Sequence, residues 1–142
     1  MASSRIIHGH PGIGHPVRGM ALVARDGFSA RYDLDRIQGV FSRPTHKLYK
    51  QSYVGRVLVL DRAKGGVATA WMLHEMKARQ MAPVALLLNH ANPVMAQGAA
   101  LGGIALIDRF EVDITEVLCT DDDIEIDPES GTVRILAHAR DP

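Results

Sequence analysis

Apolar and polar positions follow three different rhythms along this chain. "GRVLVL" (55–60), "APVALLLN" (82–89) and "IALID" (104–108) are short, nearly unbroken apolar runs, the pattern of strands buried on both faces. Between the first two lies "ATAWMLHEMKARQ" (68–80). Its spacing predicts an amphipathic helix, with Trp71, Met72, Met76 and Ala78 facing inward and His74, Lys77 and Arg79 outward. Between the last two lies "NPVMAQGAALGG" (92–103), which opens on Asn-Pro and closes on Gly-Gly, the start and stop signals of a short helix. Strand, helix, strand, helix, strand with short connections predicts a βαβαβ unit with parallel strands and right-handed crossovers.

The flanks read differently. "VRGMALVARDGFS" (17–29) predicts a strand ending in an Asp-Gly turn, and residues 31–53 predict irregular structure with one short strand. "DIEIDPESGTVRIL" (123–136) alternates apolar and polar residues around a turn, which predicts a hairpin with one wet face. Residues 1–16, rich in Gly, Pro and His, predict a flexible or surface-draped lead-in to a single domain over 17–142. The expected fold class is therefore α/β, a parallel βαβαβ unit with flanking antiparallel strands.

Composition narrows the function classes. A chain of 142 residues with 46% hydrophobic and 23% charged residues is that of an ordinary globular domain. No apolar run approaches the roughly 20 residues of a membrane span. "MASSRIIHGHPGIGHP" lacks the apolar core of a secretion signal, so a cytoplasmic location and no membrane partner are expected. Net charge is zero, yet through residue 80 thirteen Lys and Arg stand against five Asp and Glu, and beyond it three stand against eleven. Folding can interleave these halves, or leave a cationic face for an anionic substrate or acidic partner. The balanced charge, with no basic patch interleaved with aromatics, argues against nucleic acid. The single cysteine, Cys119, cannot hold an iron–sulfur cluster or a structural zinc by itself, and reads as a small buried apolar side chain.

One stretch asks for chemistry: "DRAKGGVATAW" (61–71), where Lys64 and a Gly65-Gly66 pair sit between a buried strand and a helix. Free amides at a helix start, the positive end of its dipole and bare glycines form a natural seat for a carboxylate or phosphate, and Lys64 and Thr69 add a charge and a hydroxyl. The alternative is a tight turn in which the glycines only avoid a clash, and the residues alone leave both open. The lysine precedes both glycines, so this is neither the G-x-x-x-x-G-K-[ST] nucleotide loop nor G-x-G-x-x-G. At the same sheet edge, Asn89 and Asn92 of "NHANP" are candidate helix caps, with Asn89 also a candidate ligand contact. Asp108 and Arg109 end the third strand there, either paired or with Arg109 gripping a carboxylate. His8, His10 and His15 have no neighbouring carboxylate or cysteine to complete a metal site, and Asp121–Asp123 read as a solvated turn.

"GRVLVLDRAKGGVATAWMLHEM", "APVALLLNHANPVMAQGAALGGIALIDRF" and "DDDIEIDPESGTVRI" together resemble the small, swivel-domain subunit of aconitase X, over residues 17 to 136 and in the family's order. Gly39, His46, Gln51 and Ser52 are similar to that family's upstream stretch and bring His46 in as a site residue. The resemblance implies a swivelling β/β/α domain that closes over a larger subunit. That partner would carry an iron–sulfur cluster, with no cofactor in this chain. The pair would act as a hydro-lyase, a dehydratase removing water from a small hydroxy acid; family members act on a hydroxyproline isomer or on phosphomevalonate. The family's loop reads Gly-Arg-Gly-Ser-Ser-Thr-Gly-Ser and supplies a serine base. Here Lys64 stands at the arginine position, Gly65 at the glycine and Gly66 at the serine, and glycine cannot carry a proton. Thr69 is the hydroxyl left nearby. The resemblance thus implies substrate binding by Lys64, Gly65, Gly66 and His46, with Thr69 as the candidate base, and the sheet-edge reading adds Asn89 and Arg109 to the substrate-binding set. It also leaves a second outcome, a non-catalytic binding or regulatory module that kept the fold.

Overall fold

The computed structural model describes residues 5–64 and 67–139. Strands β1 (Arg5–His8), β2 (His10–Ile13), β3 (Val17–Val23) and β4 (Gly27–Phe28) lead into a short helix α1 (Ala30–Asp33) and the small β5 (Leu34–Asp35) and β6 (Val40–Phe41) pair. The central unit is β7 (Val57–Ala63), α2 (Val67–Ala78), β8 (Ala85–His90), α3 (Pro93–Gly102) and β9 (Ala105–Asp108). One turn of helix α4 (Ile114–Val117) precedes the hairpin β10 (Asp123–Asp127) and β11 (Thr132–Ala137).

The strands follow the order β1-β11-β10-β3-β7-β8-β9-β2, with β4 pairing β7 alongside. β7, β8 and β9 are parallel, as the alternation of strand and helix predicts, while β1, β10, β11 and β2 pair antiparallel. β3 belongs to both systems: Val17–Met20 pair antiparallel with β10, and Ala21–Val23 pair parallel with β7. Leu58, Leu60, Leu86 and Leu88 share a buried cluster with Leu73 and Met76 of α2 and Met95 and Ala99 of α3. The alternate residues Val57, Val59, Ala85 and Leu87 share another with Ile124, Ile126, Val133 and Ile135 of the hairpin. The antiparallel strands therefore cover the face the helices leave bare. This is the β/β/α layering.

Residues 5–13, expected as a flexible or surface-draped lead-in, form paired strands. β1 pairs with β11 and β2 pairs with β9, so this segment joins the two ends of the strand path. Its glycines are what allow that approach, since a Cβ on Gly12 would run into the Leu106 carbonyl. The helix α2 also turns differently from the expectation. Over residues 71–78, Leu73 and the expected Met76 are buried and Met72 packs partly against the core, whereas Ala78 is exposed and Trp71 is 63% exposed, its ring meeting His74 edge-on at 6.4 Å. α3 starts and stops as its sequence signals: the Asn92 side chain accepts from the Met95 amide, and Gly103 closes the helix in the left-handed conformation.

The charge halves interleave. Arg18 pairs with Asp123 and Arg56 with Asp121, both at 2.7 Å, and Arg25 lies 3.6 Å from Glu116. Within the acidic run Asp121 is an exposed turn residue, as expected, but Asp122 is fully buried. It accepts from the Cys119 and Ala139 amides and lies 3.2 Å from His138, pinning the end of the described chain. Among the described residues no helix is long and apolar enough to cross a membrane.

Burial assigns α2 its inner face, and this is testable. Leu73→Ala is expected to lower stability by about 2–5 kcal/mol in urea unfolding, and Trp71→Ala to change it by no more than about 0.5 kcal/mol. The opposite ranking would place the wrong face against the sheet.

Candidate functional site

The carboxyl ends of the parallel strands form the chemically richest edge. β7 outruns β8 there because β4 pairs alongside it, Gly27 opposite Arg62 and Phe28 opposite Ala63. The Lys64 amide then donates to the Phe28 carbonyl at 2.8 Å, and the Asp61 amide to the Asp26 carbonyl at 2.9 Å. Lys64 is exposed and its side chain lies across Gly27. A Cβ at position 27 would press on the Lys64 Cε and stand 3.0 Å from its Nζ. The absent side chain is thus the space the lysine occupies.

His46 holds this corner. It is 5% exposed, stacked on Phe41 with ring centroids 4.6 Å apart. Its Nδ1 accepts from the Leu48 amide at 3.0 Å, so the other nitrogen, Nε2, carries the proton and donates to the Gly27 carbonyl at 2.8 Å. With both ring nitrogens engaged, His46 braces the backbone under Lys64. Asp26 lies 3.8 Å from Nε2. Burial pushes the Asp26 carboxyl up, but the Lys47 and Gly27 amides and the fields of His46 and Lys64 outweigh it and leave it below its ordinary value. Asp26, Arg43, Thr45, His46 and Lys64 line a small hollow of about 70 Å³. Arg43 is tied to the buried Asp33 at 3.1 Å, which leaves Lys64 as the exposed cation lining this hollow that has no ion pair among the described residues.

The other predicted residues sit further along the same edge. Asn89 donates from Nδ2 to Asp61 at 2.9 Å and to Asp113 at 2.8 Å, and its Oδ1 accepts from the Ile114 amide at 2.9 Å. Its amide is spent on an internal brace that ties two strand ends to α4. Arg109 takes a left-handed backbone (φ 54°) and has an exposed side chain 3.7 Å from Asp108. It stands between a hollow of about 580 Å³, shared with Arg25, His90 and Asp113, and one of about 240 Å³, shared with Asn92 and Pro93. Lys64 and His46 are therefore brought together, while Asn89 and Arg109 belong to a neighbouring part of the edge. Gly65 and Gly66 lie outside the described residues. Thr69 falls in the first turn of α2. Sequence reasoning missed Gly27 and Asp26; the Asp-Gly pair was visible only as a turn, because its pairing with β7 is a tertiary event.

No group of three or more His, Cys, Asp or Glu among the described residues is arranged to hold a metal ion. Cys119 is half-buried on the connection before β10, its amide given to Asp122.

Comparisons with known proteins agree with this architecture. A family model described as the aconitase X swivel domain matches residues 6–135. The phosphomevalonate dehydratase small subunit of Methanopyrus kandleri is 33% identical over 120 residues, 84% of this chain and 88% of that protein. Its counterpart in Methanocella arvoryzae is 29% identical over 129 residues, 91% of this chain and 98% of that protein. A chain of the crystal structure of Thermococcus kodakaraensis aconitase X, in its holo-form, superposes with a TM-score of 0.86 at 26% identity. The match covers 93% of this chain and 98% of that one.

Two outcomes test the geometry. His46→Ala leaves the Gly27 carbonyl and Leu48 amide without partners and is expected to cost about 2–3 kcal/mol in chemical denaturation; an unchanged midpoint would show that the clamp carries nothing. Asp113 is held below its ordinary value of 3.8, first by the Thr115 hydroxyl and then by the Asn89 amide. A carboxyl depressed on folding stabilises the protein above the unfolded value and loses that contribution as pH falls through the folded one. Asp113→Asn is therefore expected to be less stable than the native chain at neutral pH. The gap should shrink as pH drops below 3.8, followed by denaturation midpoints at several pH values.

Proposed function

The chain belongs to the aconitase X swivel-domain family, and from that premise we propose that it is the small subunit of a hydro-lyase. It would dehydrate a small hydroxy acid together with an aconitase X-type large subunit. The observation that carries this reading is the end-to-end match to proteins named as dehydratase small subunits, which this chain covers over nearly their whole length. An iron–sulfur cluster takes several thiolates, and one cysteine cannot supply them, so the cluster does not fit this chain and is assigned to the partner.

In this reading the chain contributes binding and closure. Lys64 neutralises the acidic group of the substrate, and the amides that follow it through Gly65 and Gly66 toward the start of α2 offer donors to the same oxygens. His46 acts through Gly27, fixing the strand over which Lys64 lies. Asn89 acts through Asp61 and Asp113, fixing the ends of β7 and β8, and Arg109 waits on the neighbouring hollow for a carboxylate. Gly66 stands where the resemblance places a serine base. Thr69, in the first turn of α2, is the hydroxyl left to hold the proton. Closure of the domain over the larger subunit would exclude water and bring these donors to the substrate.

Gly66 also favours one specific competitor, a module that kept the fold and lost the chemistry. Co-expression with an aconitase X-type large subunit separates the two. The subunit reading expects a stable complex on size-exclusion chromatography. It also expects dehydration of at least one of the hydroxyproline isomers, phosphomevalonate or branched hydroxy acids offered. Lys64→Ala is then expected to raise KM about tenfold, equivalent to about 1.4 kcal/mol, and Thr69→Val to lower kcat. A chain that elutes alone would refute the subunit assignment; a complex with no turnover on any of these acids would favour the module.

A further inference from the structure

The pairing across the carboxyl edge places one row of residues side by side. Gly27 of β4 is opposite Arg62 of β7, and Arg62 is opposite His90 of β8. Paired residues on neighbouring strands point their side chains the same way, about 4.8 Å apart. Gly27 has no side chain, and the Lys64 amine lies where one would be. The row therefore reads Lys64, Arg62, His90. Arg62 and His90 are exposed, and among the described residues neither side chain has a hydrogen bond or ion pair.

The nearby carboxylates do not quench the row. Asp61 is engaged by Asn89, and Asp108 by the Ala91 amide and Arg109. Asp33 is held by Arg43 and the Ser29 amide. Asp26 accepts from the Gly27 and Lys47 amides and lies close enough to Lys64 to lower the local potential. Three nitrogen-bearing side chains with so little compensation cost free energy in the empty protein, and an oxyanion relieves it. A guanidinium in the middle position suits two oxygens at once, and the imidazole adds a donor on its far side.

We propose that Arg62 and His90 form a second anion clamp beside Lys64. It would take the other acidic group of a short substrate that carries two. The idea rests on the anion-binding reading of Lys64 and deepens it. One acidic group sits at Lys64, and the second, a carboxylate or a phosphate, sits one strand spacing away. A monoacid would use only half the row, so Arg62 sets the preference for doubly acidic substrates.

The test reads binding to the isolated full chain by amide NMR titration with succinate, inorganic phosphate and acetate. Succinate or phosphate is expected to shift the resonances of residues 62, 64 and 90. Arg62→Met is expected to weaken the tighter of the two at least tenfold while changing acetate less than twofold. The tighter probe identifies the second group as carboxylate or phosphate. The clamp is overturned if neither probe moves those resonances, or if Arg62→Met binds both as the native chain does. Because no partner and no turnover enter the measurement, its failure is distinct from failure of the subunit assignment. A loss of complex with the large subunit would leave this result standing.

Discussion

The arrangement at the carboxyl edge of the parallel strands depends on two residues pairing where the parallel sheet would otherwise have ended. Gly27 and Phe28 extend the partnership of β7 beyond its neighbours, and the Lys64 amide closes on Phe28. Without that pairing the strand would fray before Lys64, and the lysine would have no fixed position relative to α2. His46 makes it durable by taking the Gly27 carbonyl on one nitrogen and the Leu48 amide on the other. A buried histidine between two backbone segments ties the lobe of residues 24–54 to the sheet, so the position of the cation is set by the core.

The same economy appears at the neighbouring strand end. Asn89 binds two carboxylates and an amide at once, so β7, β8 and the turn of α4 are tied by one side chain. Such residues look like ligand contacts in a sequence because they are polar and stand at the ligand-binding edge of an open sheet. Their geometry makes them braces, which leaves Lys64, Arg62, His90 and Arg109 as the side chains that face outward there. Pairs such as Arg18–Asp123 and Arg56–Asp121 join opposite charges of the two chain halves.

Much of the parallel unit was legible because each of its signals is local: the runs 57–60 and 85–88 are buried on both faces, and Asn92 and Gly103 bracket α3 by cap chemistry alone. The misses share a cause in long-range contact. Residues 5–13 are rich in glycine and proline, which suggests irregularity, yet the glycine at 12 is what lets β2 lie against Leu106. Spacing along α2 points Trp71 inward, but Leu73 fills the core instead. Asp122 looked solvated within an acidic run; the amides it accepts come from both ends of the hairpin segment. Of the candidate site, Lys64 is suggested in the sequence by its place before two glycines, whereas Gly27 and Arg62 acquire meaning only from strand register.

The central claim is that the carboxyl edge around Lys64 is the face this domain turns toward a larger subunit and its substrate. Hydrogen exchange of the chain, alone and co-purified with an aconitase X-type large subunit, tests it most directly. Slowed exchange at residues 25–28, 43–47 and 62–64 in the complex is the predicted result. Protection confined to β1, β10 and β11, with the Lys64 edge exchanging as it does in the free chain, would contradict it.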